Sequence, residues 1–278
     1  MEGMSLGYLQ SKEKPVCIPT LLKRKENGHK ISMVTCYDSA FGHLVEKSSI
    51  DVVLVGDSLG NVMLGFDSTI PVTIEDMVHH CAAVTRSVKR PFVVGDLPFM
   101  TYATCENALK NSALLMQKGG VQAVKIEGGE QVCPQVSALV GAGIPVMGHL
   151  GLTPQSVHAL GGYKVQGTTD QAADEMIRNA KALETAGAFA VVLEMVPRSL
   201  AKKITKALKI PTIGIGAGSD CDGQVLVLHD LLGFDSEFSP KFLKKYAALG
   251  DVILKSLSEY DKDVKSGVFP DSEHSFGG

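Results

Sequence analysis

The chain has 278 residues, of which 45% are hydrophobic, and its 27 Lys and Arg against 30 Asp and Glu give a net charge of −3. Nucleic-acid binding depends on surplus positive charge that neutralises phosphates, so this balance argues against a nucleic-acid partner. Spanning a bilayer takes roughly 20 consecutive apolar residues, and no such run occurs, so no membrane partner is predicted. The apolar residues are instead expected to form a large buried core.

Six cysteines are scattered along the chain without any C-x-x-C pair. A disulfide framework or a zinc knuckle would need closer spacing, so the pattern indicates a reducing compartment. Residues 1–14 have neither the apolar stretch of a signal peptide nor the Arg-rich face of a transit peptide. We therefore expect a cytoplasmic protein whose residues 1–14 form a flexible N-terminal extension.

Eight short apolar runs alternate with longer segments of helical pattern. Most runs are continuously apolar, which is typical of strands buried on both faces of a parallel sheet. The predicted strands are 31–35, 52–55, 92–94, 123–126, 144–147, 189–193, 212–215 and 225–228.

Four intervening segments have clear helix signals. Thr73 to Asp76 form a capping-box pattern ahead of residues 77–88, and Thr104 is a candidate N-cap for residues 106–118. Thr169 and Asp170 precede a third pattern that ends at Gly187. Residues 198–208 form a fourth amphipathic candidate before Pro211.

Strands that alternate with helices through short loops indicate parallel pairing and right-handed crossovers. Eight of them in about 200 residues predict an α/β fold, a single-domain (β/α)8 barrel over residues 1–278. Only the short loop 216–224 separates the last two predicted strands, so either that unit lacks its helix or the eighth strand is misplaced. A doubly wound open sheet is the alternative.

Ionisable residues follow five consecutive apolar runs. Because the carboxyl ends of the strands ring one mouth of a barrel, these side chains are expected to converge on one pocket. Lys125 lies two residues before one of them and should point inward. The five residues are Asp57, Asp96, Glu127, His149 and Glu194.

This cluster predicts a site for a divalent cation, because several carboxylates at one mouth repel one another unless a cation neutralises them. Oxygen ligands without cysteine favour Mg²⁺ or Mn²⁺ over zinc. Other interpretations exist for individual residues: Asp57 and Asp96 as helix N-caps, and His149 as a structural imidazole. Lys125 suits either an ion pair with the carboxylates or a Schiff base of the aldolase type.

A divalent cation beside a lysine and a spare carboxylate suits enolate chemistry on a 2-oxo acid. The spare carboxylate would remove a proton from the carbon next to the ketone. These residues leave the electrophile open, so a metal-dependent lyase or aldolase is a rival interpretation. The alternative from another functional class is a barrel that binds a metabolite without catalysing a reaction.

Eight motifs in the chain closely resemble ketopantoate hydroxymethyltransferase, and the resemblance runs from about Thr20 to Phe276. Among them, VGDSLG surrounds Asp57, VKIEGG contains Lys125 and Glu127, and GHLGLTPQ begins at Gly148. The segments are 33–38, 55–60, 95–100, 124–129, 148–155, 161–167, 214–218 and 267–270.

The resemblance implies an enzyme that transfers a one-carbon unit from 5,10-methylenetetrahydrofolate to 3-methyl-2-oxobutanoate, giving 2-dehydropantoate for pantothenate and coenzyme A synthesis. It implies (β/α)8 barrels assembled into homo-oligomers, commonly decamers. The family's base corresponds to Glu194, and its Mg²⁺-associated residues correspond to Asp57, Asp96 and Glu127. Its substrate contacts correspond to Asp57, Ser58, Asp96 and Lys125, with His149 as an active-site histidine.

Overall fold

The computed structural model describes residues 14–277 of the chain. Eight parallel strands close into a barrel in sequence order, with β8 paired to β1. This confirms the predicted (β/α)8 architecture and rules out the open sheet. The strands are β1 (Ile31–Thr35), β2 (Val52–Val55), β3 (Phe92–Asp96), β4 (Ala123–Glu127), β5 (Val146–Gly151), β6 (Ala190–Glu194), β7 (Thr212–Ile215) and β8 (Gly223–Leu226).

Ten α-helices lie within the described residues, together with 3-10 turns at Glu130–Val132 and Pro154–Ser156. None of these helices is both long and apolar enough to span a membrane. They are α1 (Ile18–Glu26), α2 (Ser39–Glu46), α3 (Leu59–Val62), α4 (Ile74–Ser87), α5 (Cys105–Gln117), α6 (Cys133–Gly141), α7 (Asp170–Thr185), α8 (Arg198–Ala207), α9 (Leu228–Leu232) and α10 (Leu249–Ser266).

The helix N-termini follow the predicted capping chemistry. The Thr73 side chain accepts a hydrogen bond from the backbone N–H of Asp76, whose carboxylate accepts one from the backbone of Thr73. Thr104 and Thr169 cap α5 and α7 in the same way through their hydroxyls. Each cap satisfies backbone N–H groups that the first helical turn leaves without partners.

Two predicted strands have a first residue that lies two positions from the observed one. The fifth strand begins at Val146 rather than at residue 144, because Pro145 interrupts the apolar run. The eighth begins at Gly223 rather than at residue 225, and no helix lies between it and β7. The seventh unit of the barrel is therefore the truncated one, and the eighth strand was also misplaced.

The first residues of the strands fill the barrel with apolar side chains. Phe92 and Phe189 pack edge to face, with their ring centroids 5.7 Å apart. Val16 and Leu21 join the same buried cluster, so the segment leading into α1 and α1 itself close the amino-terminal end of the barrel. The carboxyl ends of the strands are thereby left for the polar residues.

Contacts between residues divide the chain after Leu226 into two compact units. The first contains all eight strands, and the second contains α9 and α10. The assignment of residues 1–278 to a single domain stays a prediction. The proposed flexible extension at residues 1–14 lies outside the described residues except for Lys14.

Candidate active site

The alternation of side chains along each strand explains why charged groups gather at the carboxyl end. Phe92, Val94 and Asp96 lie at alternate positions of β3, so the face that begins in the apolar core ends in a carboxylate. The same spacing in β4 runs from Ala123 through Lys125 to Glu127. Asp96, Lys125 and Glu127 are accordingly buried inside the barrel, not exposed at its rim.

Lys125 lies at the centre of the cluster with its ammonium surrounded by acidic groups. Its Nζ is 2.8 Å from Asp96 Oδ2 and 3.6 Å from Glu127 Oε1. Burial alone would lower the pKa of Lys125, but Asp96, Glu127 and Asp57 outweigh it and hold that pKa above its ordinary value. The three carboxylates thus favour the charged form of Lys125. A Schiff-base role, which needs a neutral amine, does not fit.

Asp57 and Asp96 are two buried aspartates whose carboxyl groups both have raised pKa values. Burial, followed by the charges of Asp96 and Glu127, raises the pKa of Asp57 well above its usual value. Burial also raises the pKa of Asp96, although Lys125 opposes the shift. The backbone N–H of Asp57 donates to Asp96 Oδ2 over 3.3 Å. Each carboxylate would therefore gain from an added positive charge.

These two aspartates are not helix caps. Ser58 occupies the N-cap position of α3, and Thr104 is the N-cap of the helix that follows Asp96. Asp96 Oδ1 is buried and has no hydrogen-bond partner among residues 14–277. The N-cap interpretation is therefore wrong for both residues, and an orphaned carboxylate oxygen remains inside the cluster.

His149 bridges two carboxylates. Its Nδ1 lies 3.2 Å from Glu127 Oε1 and within hydrogen-bond distance, 3.3 Å, of Lys125 Nζ, and its Nε2 lies 3.2 Å from Glu194 Oε2. Burial and the Lys125 charge act to lower the pKa of His149. The contacts with Glu127 and Glu194 outweigh them and raise it to about 9. The two carboxylates thus favour the charged form of His149, whereas the Lys125 ammonium beside Nδ1 opposes it.

Glu194 is the most accessible of these groups. Its side chain is 18% exposed, whereas those of Asp96, Glu127, Lys125 and His149 are at most 4% exposed. It ends β6 at the mouth of the barrel, next to the imidazole ring of His149. Gly151 lets the end of β5 lie close to the end of β6, because a Cβ at Gly151 would lie 2.1 Å from the backbone carbonyl oxygen of Glu194. A ligand that enters the mouth of the barrel would therefore contact Glu194 before the more deeply buried charged groups.

Glu127 has a different environment from the two aspartates. Lys125 and His149 lower its pKa in spite of its burial, and its Oε2 accepts a hydrogen bond from the backbone N–H of Gln155 over 3.1 Å. Among residues 14–277, no group of three His, Cys, Asp or Glu side chains is arranged to hold a metal ion. Association of Glu127 with a metal therefore stays a prediction.

Ser58 is held by a residue that sequence reasoning missed. Its Oγ lies 2.8 Å from the hydroxyl of Tyr37, which is buried just beyond β1. Tyr37 belongs to segment 33–38, but nothing in that motif indicated a contact with residue 58. The substrate role of Ser58 remains a prediction.

Gln155 is the second residue that the sequence did not single out. Its side-chain amide donates to Asp57 Oδ2 over 2.8 Å and to the carbonyl of Leu97 over 2.9 Å. Its Oε1 accepts a hydrogen bond from the Tyr102 hydroxyl over 2.6 Å. Gln155 thus fixes the orientation of the Asp57 carboxylate, and its backbone does the same for Glu127.

Replacing Gln155 by leucine is expected to destabilise the protein, because the buried Asp57 carboxylate, the buried Leu97 carbonyl and the partly buried Tyr102 hydroxyl lose their partner. Each unsatisfied group costs about 1–3 kcal/mol, so the melting temperature in scanning calorimetry should fall by several degrees. Gln117→Leu, at an exposed position of α5, is the matched control and should melt with the parent. Equal melting of all three proteins would contradict the role of Gln155.

Residues 15–272 match the family model described as ketopantoate hydroxymethyltransferase. The chain belongs to this family. The 3-methyl-2-oxobutanoate hydroxymethyltransferase of Heliobacterium modesticaldum is 51% identical over 265 residues, covering 95% of this chain and 96% of its relative. That of Carboxydothermus hydrogenoformans is 53% identical over 262 residues, covering 94% and 95%. As a member of the family, the chain is a hydroxymethyltransferase.

Solved structures with similar folds are far less similar in sequence. Phosphonopyruvate hydrolase superposes with a TM-score of 0.62 at 11% identity, covering 95% of this chain and 92% of the other. A 2,3-dimethylmalate lyase superposes with a TM-score of 0.60 at 16% identity, covering 95% and 93%. These likenesses concern the barrel fold that the family shares with other enzymes.

Proposed function

We propose that the enzyme transfers the one-carbon unit of 5,10-methylenetetrahydrofolate to 3-methyl-2-oxobutanoate, through an enolate, to give 2-dehydropantoate for pantothenate synthesis. The observation that carries this proposal is the buried Lys125 ammonium 2.8 Å from Asp96, within a cluster that ends at the accessible carboxylate of Glu194. In a member of this family, such a cluster offers both a cation for the substrate and a base for its C–H bond.

The atom balance of the proposed reaction shows which bonds must be broken and formed at the site. The C3–H bond of the 2-oxo acid is replaced by a bond to a hydroxymethyl carbon. The donor supplies that carbon and leaves as tetrahydrofolate, while one water molecule supplies the hydroxyl oxygen. The protein must therefore bind two organic substrates side by side and remove one proton.

Asp57 and Asp96 fit a divalent cation. Both are buried, burial and then neighbouring carboxylates raise their pKa values, and Asp96 Oδ1 has no hydrogen-bond partner among the described residues. Oxygen donors of this kind suit Mg²⁺, with Mn²⁺ or Co²⁺ as alternatives, and Glu127 would support the ion from nearby. When bound, the cation would supply Lewis-acid stabilisation of negative charge on the keto oxygen.

The remaining residues bind the substrate and move its proton. Lys125 stays charged and pairs with the substrate carboxylate, while Ser58 and His149 add polar contacts. Glu194 removes the proton from C3, and the electron pair of that C–H bond then forms the new bond to the one-carbon unit. His149, whose Nε2 lies 3.2 Å from Glu194 Oε2, orients the Glu194 carboxylate.

Replacing Asp57 or Asp96 by asparagine is expected to weaken Mg²⁺ binding, because each change removes a negative charge that compensates the cation. Loss even of outer partners weakens metal sites by about 10–100-fold, so at least that loss is expected in titration calorimetry. Asp174→Asn, on the exposed face of α7, should bind like the parent. If all three variants bind Mg²⁺ equally well, the assignment of these ligands is wrong.

The proposed reaction is tested with the purified full-length protein and three components: 3-methyl-2-oxobutanoate, 5,10-methylenetetrahydrofolate and Mg²⁺. Mass spectrometry should detect 2-dehydropantoate only when all three are present, and EDTA should abolish it. Carbon–carbon bond formation or cleavage without the folate donor would instead support a lyase or aldolase.

We also propose that the enzyme acts in the cytoplasm as a homo-oligomer, a decamer by family resemblance. Its cysteines are all free, which supports a reducing compartment. No residue of α10 is buried, and the helix exposes Val252, Leu254 and Leu257, which supports association with further copies. Sedimentation of the full chain should give a decamer, and a monomer at assay concentration would contradict this.

A further inference from the structure

A cavity of about 340 Å³ is formed by two loops that follow strands of the barrel. Asp67 and Ser68 come from the segment between α3 and α4, whereas Val157, His158 and Tyr163 come from the segment between β5 and α7. The volume lies at the lower end of the range for small-molecule sites, which suits a two-ring head group.

Both loops are attached to the candidate active site. The first follows α3, the short helix that begins directly after Asp57 and Ser58, and the second contains Gln155, whose side-chain amide donates to Asp57. Farther along the second loop, the backbone N–H of Gln166 donates to the carbonyl of Met195 over 2.9 Å, beside Glu194. The cavity therefore lies next to the groups that would act on the 2-oxo acid.

The pKa of Tyr163 supports the proximity of the cavity to the candidate active site. Burial, then the charges of Glu194 and Asp57, raise the pKa of its phenol. The ring is nevertheless 55% exposed, so one face is open to a ligand. Stacking on such a ring is favourable for any flat aromatic partner.

The residues that line the cavity favour one chemical class of ligand. None of the lining residues is lysine or arginine, although Lys164 Nζ lies 3.4 Å from the place where a Cβ of Gly161 would be, and the Asp67 carboxylate would repel a phosphate or another anion. Gly162 has φ +105°, and no atom lies within 4 Å of the place where a Cβ would be, so the backbone faces open space at this position. An acceptor carboxylate, a hydroxyl and an aromatic face together suit a neutral ring with neighbouring N–H donors.

We propose that this cavity binds the reduced pterin ring of the one-carbon donor. Asp67 accepts hydrogen bonds from the exocyclic amino group and the adjacent ring N–H of the pterin, which match the two oxygens of a carboxylate. Tyr163 packs on the ring system. The inference rests on the proposed folate dependence and assigns the residues that carry it.

The test measures binding of tetrahydrofolate, the spent donor, to the full-length protein by titration calorimetry. Asp67→Asn keeps the shape of the side chain but removes its charge, and Tyr163→Ala removes the ring. Each is expected to weaken binding about tenfold or more, the scale of one charged hydrogen bond or one stacked ring. Tyr163→Phe, which keeps the ring, and Asp174→Asn on α7 should bind like the parent.

A second measurement separates this inference from the proposed function. Exchange of the C3 hydrogen of 3-methyl-2-oxobutanoate for deuterium needs no folate, so Asp67→Asn and Tyr163→Ala should exchange at the parent rate while their KM for the donor rises. Parent-like tetrahydrofolate affinity in both variants would overturn the pterin site and leave the proposed reaction intact. A parent protein that binds no tetrahydrofolate and forms no product would overturn both.

Discussion

Glu194→Gln is expected to lower kcat for 2-dehydropantoate formation by at least about 100-fold, the usual scale for loss of a general base. Glutamine keeps the size of the side chain but cannot accept the C3 proton. Because Lys125 and the two aspartates are unchanged, the KM for 3-methyl-2-oxobutanoate should stay within a few-fold of the parent value. Steady-state kinetics at saturating donor and Mg²⁺ measure both quantities.

The control for this change is Glu175→Gln on the exposed face of α7, which should leave kcat unaltered. Circular dichroism should give the parent spectrum for both variants, since Glu194 is partly exposed and contacts only the His149 ring among the ion pairs of the described residues. A Glu194→Gln enzyme with the parent kcat would remove Glu194 from the mechanism.

Lys125→Met is expected to give the largest loss of stability of any single change at the site. It removes the ammonium that lies 2.8 Å from Asp96 Oδ2 and leaves the buried Asp96 carboxylate without its cationic partner. Removing one partner of a buried ion pair costs about 3–5 kcal/mol. Urea unfolding of the metal-free protein should show a decrease of this size in the free energy of unfolding, together with loss of activity.

Added Mg²⁺ should recover part of that stability, because a cation held by Asp57 and Asp96 neutralises some of the same charge. Lys203→Met, at an exposed position of α8, is the matched control and should unfold with the parent. If Lys125→Met unfolds at the parent urea concentration, the ammonium does not balance the cluster. Lys125→Arg retains the charge and should lie between the parent and the methionine variant.

Much of the barrel could be predicted because its strands are buried on both faces and read as continuous apolar runs. β1, β2 and β7 have the predicted bounds. β8 was misplaced because Gly223 and Gln224 have no strand signature of their own. They are in the sheet because they pair with β1 and β7, and a Cβ at Gly223 would lie 2.5 Å from the Ile31 carbonyl oxygen.

The charged cluster could also be predicted, because alternate positions of one strand share a face and the strand ends meet at one mouth. The hydrogen-bond network around it could not. Gln155, Tyr37 and Tyr102 lie outside the strands, and their contacts with residues 20–100 positions away depend on how the loops fold. Sequence spacing also could not distinguish a paired Lys125 from a Schiff-base lysine, since that depends on the charges around its Nζ.

Removal of the C3 proton by this cluster is the central step of the proposed mechanism. Its most direct test is deuterium exchange at C3 of 3-methyl-2-oxobutanoate in D₂O, followed by NMR with the full-length protein and Mg²⁺ but without folate. We expect exchange well above the protein-free rate and a return to that rate when EDTA is added. A folded, Mg²⁺-loaded enzyme that forms 2-dehydropantoate without catalysing this exchange, or that exchanges equally in EDTA, would contradict the mechanism.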